Sequence, residues 1–499
     1  MRLAAVFIVF ILSIVKLRKL RSAIPRSLFA ILVFLSALAS APAPALAQAT
    51  GLPKPVAQAL ARAKLPESGV AVYVHEIGAQ RPVVAHNANR VVNPASTMKL
   101  VTTYAALELL GPAYVWHTEA YGGAPLVNGV LNGDLILKGY GDPKLTLENF
   151  WLLLRNLRGR GVREIRGDLV LDRSFFARLP HDAAQFDDQP TRPYNTGPDA
   201  LLVNFKAVTV QFIPDAEGRT VRVVVEPMLP QLKVTNDIQF ATGPCGNWLS
   251  QIKIDAQGNA EAARLAFSGN YALDCGEQAR SFSVLGHREY VAGLFAALWH
   301  ELGGQFSGVV RDGEVTPGAR LLASARSQTL AEIVRDINKY SNNVMARQLF
   351  LTLGAAGEGA PADSEKSTRT IKQWLAAKGL TFPELMLENG AGLSRIERIT
   401  AQHLGQLMLA AYSSPVMPEL MASLPLTAVD GTMRKRFSGA LVAGQAHIKT
   451  GSLSNVRSIA GYVLDGRGRR VVVVFIANHP NAGGAQPVQD ALLHWVYQR

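Results

Sequence analysis

The chain of 499 residues has only two cysteines, Cys245 and Cys275, and its ten histidines show no HExxH spacing. Neither cysteine belongs to a C-x-x-C pair, so a zinc ribbon is excluded, and the commonest zinc-hydrolase signature is missing. No metal site and no cofactor is expected. Long apolar runs stop before about residue 50, which excludes a multi-span membrane protein. Hydrophobic residues make up 48% and charged residues 18%, a balance that excludes a disordered chain. There is no fixed-period repeat and no basic stripe interleaved with aromatics, so a solenoid and a nucleic-acid-binding protein are set aside.

Acidic residues are missing from positions 1–47, where six basic ones fall: Arg2, Lys16, Arg18, Lys19, Arg21 and Arg26. An apolar run (Leu3 to Val15) leads into a basic stretch (Lys16 to Arg26). A second apolar run, Ser27 to Leu46, ends in Ala45-Leu46-Ala47. Basic flank, apolar middle and small-x-small end make a secretory signal with cleavage before Gln48. The first run is too short to span a bilayer comfortably. It is a leader extension or a misassigned upstream start, and an uncleaved amphipathic anchor is the other reading. Residues 1–47 are therefore expected to be a leader, and the mature protein to be exported, periplasmic or in the cell envelope.

The leader holds six of the thirteen net positive charges, so the remainder is moderately basic. A solvated basic surface accounts for this simply; peripheral contact with a membrane or another anionic surface is the alternative. In an oxidising compartment, Cys245 and Cys275, 30 residues apart, are expected to pair. Closing such a loop contributes about 3–3.5 kcal/mol in the chain-entropy model. Free buried thiols are the other reading.

Past the leader, Gly69 to His75 and Arg81 to Ala85 read as paired strands. Pro94 near its start and Gly111 past its end frame a helix over about 94–110. From 117 to 317 short strand-like runs dominate, with one clear helix, Leu147 to Arg158. Helical texture returns at Thr329 to Leu351, Ser364 to Lys378 and Thr400 to Ala411. Three strands follow (Ala443 to Lys449, Ser458 to Leu464, Arg470 to Ala477), and a helix from Pro487 to Tyr497 closes the chain.

Ser-x-x-Lys occurs at Ser13–Lys16, Ser96–Lys99 and Ser250–Lys253. The first lies in the leader and the third in strand-like texture, where residues three apart face opposite ways. Only Ser96 and Lys99 share a helix face, at a helix N-terminus that favours developing negative charge. A serine needs a base, and a lysine kept neutral by burial or a neighbouring cation can serve. Ser-x-Asn at Ser341–Asn343 sits in a polar break between helical stretches, where hydroxyl and amide can face one cleft. Lys449-Thr450-Gly451 ends a strand and offers a cation and a hydroxyl to a substrate carboxylate. Its glycine leaves room for substrate backbone. The amides of Ser452 and Ser96 can together form an oxyanion hole.

Taken alone, each cluster is an ordinary turn or cap. In this order and context they resemble the signature of penicillin-binding proteins and serine β-lactamases. Ser96 and Ser341 are 245 residues apart, a gap that leaves room for the β-rich region between them. With Gly139 to Pro143, Asp168 to Asp172 and Asn389 to Arg395, the chain resembles class C low-molecular-mass penicillin-binding proteins, D-alanyl-D-alanine carboxypeptidase/endopeptidases of the penicillin-binding protein 4 type.

That resemblance implies an α+β fold: a transpeptidase-like domain from 48–116 and 318–499, with 117–317 as a β-rich insert of two nested small domains. It implies acylation of Ser96 by peptidoglycan stem peptides, Lys99 as base, Ser341 as proton relay and Asn343 as substrate-orienting amide. Lys449 and Thr450 would hold the terminal carboxylate, and Asp172 and Arg395 would read the charged end of the stem-peptide side chain. β-Lactam antibiotics would be covalent inhibitors. The family's usual aspartate is Asn389 here. The rivals are a β-lactamase and a peptidoglycan-binding wall-assembly protein with a vestigial cleft.

Overall fold

The computed structural model describes residues 51–258 and 262–499. The leader expected over 1–47 lies outside the described residues. Among those residues no helix is long and apolar enough to cross a membrane.

The strand Val70–Glu76 is buried at every position but its last. Such a run needs cover on both faces. Val70, Val72 and Val74 enter one apolar cluster with Val56 and Leu60 of helix Lys54–Arg62 and with Val488 and Leu492 of helix Gln486–Gln498. Ala71 and Tyr73 point the other way, into a second cluster with Leu100, Tyr104, Ile337 and Leu404. The period-2 geometry of a strand makes this division. It repeats along Arg470–Asn478, where Val471, Val473 and Phe475 face the first cluster and Val472, Val474 and Ile476 the second. Each fully buried side chain of this size contributes about 1.5–3 kcal/mol.

These strands belong to a five-stranded antiparallel sheet in the order Val84–His86, Val70–Glu76, Arg470–Asn478, Val456–Leu464, Ala446–Leu453. Both ends of the described chain thus build one sheet. The strand carrying Lys449 lies at its edge and runs on to Leu453, where Leu453 pairs with Val456. Lys449-Thr450-Gly451 therefore sits inside a strand rather than at its end, so its side chains alternate across a fixed surface.

Between 117 and 326 the chain is β-rich. His117–Gly122 pairs antiparallel with Arg320–Arg326, in a five-stranded sheet with Leu135–Gly139, Leu169–Asp172 and Val310–Asp312. Helix Leu147–Gly159 connects the parallel pair Leu135–Gly139 and Leu169–Asp172. Two three-stranded sheets follow, and Cys245 and Cys275 form a disulfide beside the second. One element the pattern did not announce is helix His287–Glu301. It buries Tyr290, Val291, Leu294, Phe295, Leu298 and Trp299, a broad apolar face that blurs the helical period in sequence.

The helix expected over 94–110 is a 3-10 turn, Ala95–Met98, leading into helix Lys99–Leu109. The stretch expected as helical from Thr329 is two helices, Leu330–Tyr340 and Asn343–Glu358. Ser341 breaks them apart with φ 55°.

Candidate active site

Ser96 owes its position to the turn that carries it. Ala95 has φ 48°, a left-handed conformation that costs a residue with a side chain and persists only when its surroundings impose it. Here Asn93 Oδ1 accepts the Ala95 amide at 2.8 Å, and Asn93 Nδ2 donates to Ser394 O at 2.8 Å. The Pro94 carbonyl accepts from Thr97 Oγ1 at 2.7 Å and from Ser458 Oγ at 2.6 Å. The turn is thereby tied both to the sheet and to the glycine-rich loop after residue 388.

Gly451 shows how close the sheet comes. A Cβ there would lie 2.3 Å from Ser458 Oγ and 2.9 Å from the Ser96 amide nitrogen. Gly392 plays the same part for the loop, with φ 75° and a virtual Cβ 2.0 Å from Ala95 O. Only glycine permits either approach.

Lys99 opens helix Lys99–Leu109 and is fully buried. Its Nζ lies 3.0 Å from Ser96 Oγ and 2.6 Å from Asn343 Oδ1, and it also contacts the Ala391 carbonyl. Burial holds this amine well below the usual lysine range, and the Lys449 and Arg347 cations push it further down while Glu397 opposes them. Two of the three contacts are carbonyl oxygens, which only accept. In the neutral amine they would engage both N–H groups and leave its lone pair for the Ser96 hydroxyl.

Across the cleft, Lys449 Nζ donates to Ser341 Oγ and to Thr450 O, each at 2.8 Å. Burial lowers its pKa to about 7. Ser341 is presented by the left-handed joint between the two helices, and Asn342 caps the second by accepting Met345 N–H at 3.0 Å. Thr450 Oγ1 donates to Thr432 Oγ1 at 2.8 Å, and Ser452 is exposed on the same strand. Ser96, Lys99, Asn343, Ser341 and Lys449 thus form two hydrogen-bonded groups, and Gly451 brings the Lys449 strand against the Ser96 turn.

Arg395 reaches this rim: its Nη1 donates to Ser454 Oγ at 3.1 Å, and its guanidinium lies 4.3 Å from the centroid of the Phe186 ring. Beside it opens a cavity of about 410 Å³ lined in part by His181, Asp182, Arg347 and Glu388. Asp172 does not join it. Its buried carboxylate accepts from Ser174 N at 3.1 Å, Ser174 Oγ at 2.6 Å and Val315 N at 2.9 Å, with Lys138 at 3.3 Å. Those partners are local to the β-rich segment and hold the end of the strand Leu169–Asp172; Arg395 is not among them.

Sequence reasoning missed Asn93, Ser458, the Ala391 carbonyl and Glu397. Glu397 is fully buried, and its Oε1 accepts the amides of Glu388, Asn389 and Gly390 at 3.1, 3.0 and 2.9 Å. Burial raises its pKa, against those three amides and Lys99. A single glutamate in Arg395-Ile396-Glu397-Arg398 reads as surface, so no local signal marked it.

A serine bonded to a buried, neutral-leaning lysine, with a second buried lysine opposite, is the machinery of a serine acyl-transfer hydrolase. Residues 52–498 match the family described as D-Ala-D-Ala carboxypeptidase 3 (S13). The chain is 27% identical over 426 residues to the D-alanyl-D-alanine carboxypeptidase DacB of Haemophilus influenzae, covering 84% of this chain and 88% of that protein. It is 31% identical over 422 residues to the D-alanyl-D-alanine carboxypeptidase of an Actinomadura species, covering 80% of this chain and 76% of that one. Among solved structures it resembles penicillin binding protein 4 (dacB) from Haemophilus influenzae with TM-score 0.73 and 26% identity, over 88% of this chain and 99% of that one. The chain belongs to the D-Ala-D-Ala carboxypeptidase 3 (S13) family and is a serine-type peptidase. That membership favours the peptidase over the β-lactamase and the vestigial wall-assembly protein.

Proposed function

We propose that Ser96 is the nucleophile of a D-Ala-D-Ala carboxypeptidase or endopeptidase acting on peptidoglycan stem peptides. The observation that carries this is the fully buried Lys99 amine 3.0 Å from Ser96 Oγ, with its other contacts taken by carbonyl oxygens. Neutral Lys99 takes the hydroxyl proton as Ser96 Oγ bonds to the penultimate D-alanine carbonyl carbon. The carbonyl π pair moves onto oxygen, stabilised by the Ser96 and Ser452 amides. The C–N bond then breaks; Ser341 relays a proton to the leaving nitrogen, and Lys99 gives up the one it took. Water hydrolyses the ester with Lys99 again as base, so atoms and protons balance over the cycle. Asn343 fixes Lys99 through Oδ1 and offers its Nδ2 to the substrate amide.

Lys449 and Thr450 hold the terminal carboxylate, while Arg395 and the cavity beside it take the far end of the stem-peptide side chain. β-Lactams acylate Ser96 by opening their ring, with no leaving group to depart. Residues 48–116 and 318–499 act as one catalytic domain, with 117–317 inserted; the pairing of His117–Gly122 with Arg320–Arg326 at the base of the insert supports this. Export to the periplasm follows from the leader reading, and the basic surface suits peripheral contact with an anionic envelope. The test is to incubate the purified protein with a D-Ala-D-Ala peptide and with sacculi. Free D-alanine or severed cross-links are expected, and the release of no D-alanine together with intact cross-links would refute the reading.

A further inference from the structure

Glu397 is a buried titratable group that the reaction above does not use. One oxygen, Oε1, collects three backbone N–H groups, while Oε2 is buried without a hydrogen-bond partner. An ion taken out of water in this way persists only where the surroundings favour its charge. The three amides belong to Glu388, Asn389 and Gly390, and the next residue is Ala391, whose carbonyl receives Lys99 Nζ. The same loop is pinned from the helix by Thr102 Oγ1, which donates to Gly390 O at 2.7 Å. Gly392 then runs against Ala95, leaving no slack between Glu397 and the Ser96 turn.

Resting on the reading of Ser96 and Lys99 above, we propose that Glu397 is a positioning residue for Lys99. Its carboxylate clamps the Glu388–Gly390 amides so that the Ala391 carbonyl stays on the amine, and its negative charge raises that amine's proton affinity against nearby cations. Those cations are Lys449 from the edge strand and Arg347 from helix Asn343–Glu358; Glu388, on the loop itself, faces Arg347. Glu397 opposes them at Lys99. The pH at which Lys99 becomes a base is then set by this balance, and removing the Glu397 charge tips it toward the cations.

The experiment is the second-order rate of acylation by a fluorescent penicillin across pH, in the full chain and in Glu397→Gln. The amide side chain keeps the shape and an acceptor oxygen but loses the charge. The acid limb of the profile moves to lower pH by about one unit, the scale of a charge interaction at a partly screened buried site. The rate constant is read from labelled molecules alone, so a reduced folded fraction leaves the limb intact. Thr102→Val loosens the same loop without touching a charge, so it lowers the plateau and leaves the limb where it was. A Glu397→Gln limb that does not move, a Thr102→Val limb that moves as far, or a Glu397→Gln protein that labels at no pH overturns the proposal. Labelling that survives Ser96→Ala would instead fault the nucleophile, a result distinct from each of these three.

Discussion

Lys449 Nζ donates to Ser341 Oγ at 2.8 Å, a bond from the edge strand of the sheet to the joint between two helices. It links the two hydrogen-bonded groups of the site to each other's elements. On the proposed reading, a cation held there, rather than at the surface, would offer a terminal carboxylate a charge-assisted hydrogen bond with little competition from water.

Removing that cation selects against the carboxylate. Lys449→Ala lowers kcat/KM on a D-Ala-D-Ala peptide about 10- to 100-fold, since a hydrogen bond to a charged group contributes about 1.5–3 kcal/mol. A peptide with an amidated C-terminus, which has no carboxylate to lose, shows a much smaller drop. Steady-state kinetics on the two peptides separates the effects, and equal losses would remove the carboxylate role.

The two lysines need opposite protonation states, which fixes the sign of the pH dependence. Lys99 must be neutral, so kcat/KM rises with pH through its lowered pKa on the acid side. Lys449 must be cationic, so kcat/KM on a free carboxylate falls as pH passes its value of about 7. The profile is bell-shaped, and with an amidated peptide the alkaline limb weakens. A carboxylate substrate processed undiminished well above that pH would contradict the assignment.

Gly451 tests the fit of strand to nucleophile. In Gly451→Ala the new Cβ meets Ser458 Oγ at 2.3 Å and the Ser96 amide nitrogen at 2.9 Å, so the strand must move away from the serine. A shift of about 1 Å at reacting groups costs on the order of 100-fold in rate. Acylation by penicillin slows by that order; a rate within a factor of about 3 would show that the strand has slack.

The disulfide is remote from this chemistry. Replacing Cys245 and Cys275 by serine releases a loop of sequence separation 30 and removes about 3.5 kcal/mol in the chain-entropy model. Urea unfolding of the β-rich region shifts to lower denaturant, and the acylation rate of the folded protein stays within about twofold. A lost acylation rate would mean that the insert shapes the cleft more tightly than its hydrogen bonds show.

Legibility in the sequence followed how local each cause was. Ser96 and Lys99 are one turn apart, Ser341 and Asn343 two residues apart, and Lys449 to Gly451 contiguous, so each cluster carried its own signal. An aspartate at a strand end looks the same in sequence whether or not it bonds to its neighbours, so the contacts of Asp172 with Ser174 and Val315 were not legible. Glu397 and Asn93 were invisible because their partners lie in loops and turns that only the fold brings near, as with Asn93 and Ser394. The break at Ser341 was legible as polarity, while its left-handed backbone was not, since serine is not a residue that announces φ 55°.

The central claim is that one hydroxyl, made nucleophilic by a buried neutral amine, receives the acyl group. Intact-protein mass spectrometry after incubation with benzylpenicillin, followed by peptide mapping, tests it directly. A single penicilloyl adduct on the peptide containing Ser96, absent in Ser96→Ala, is the predicted result. An adduct elsewhere, or one that persists in Ser96→Ala, would contradict the account.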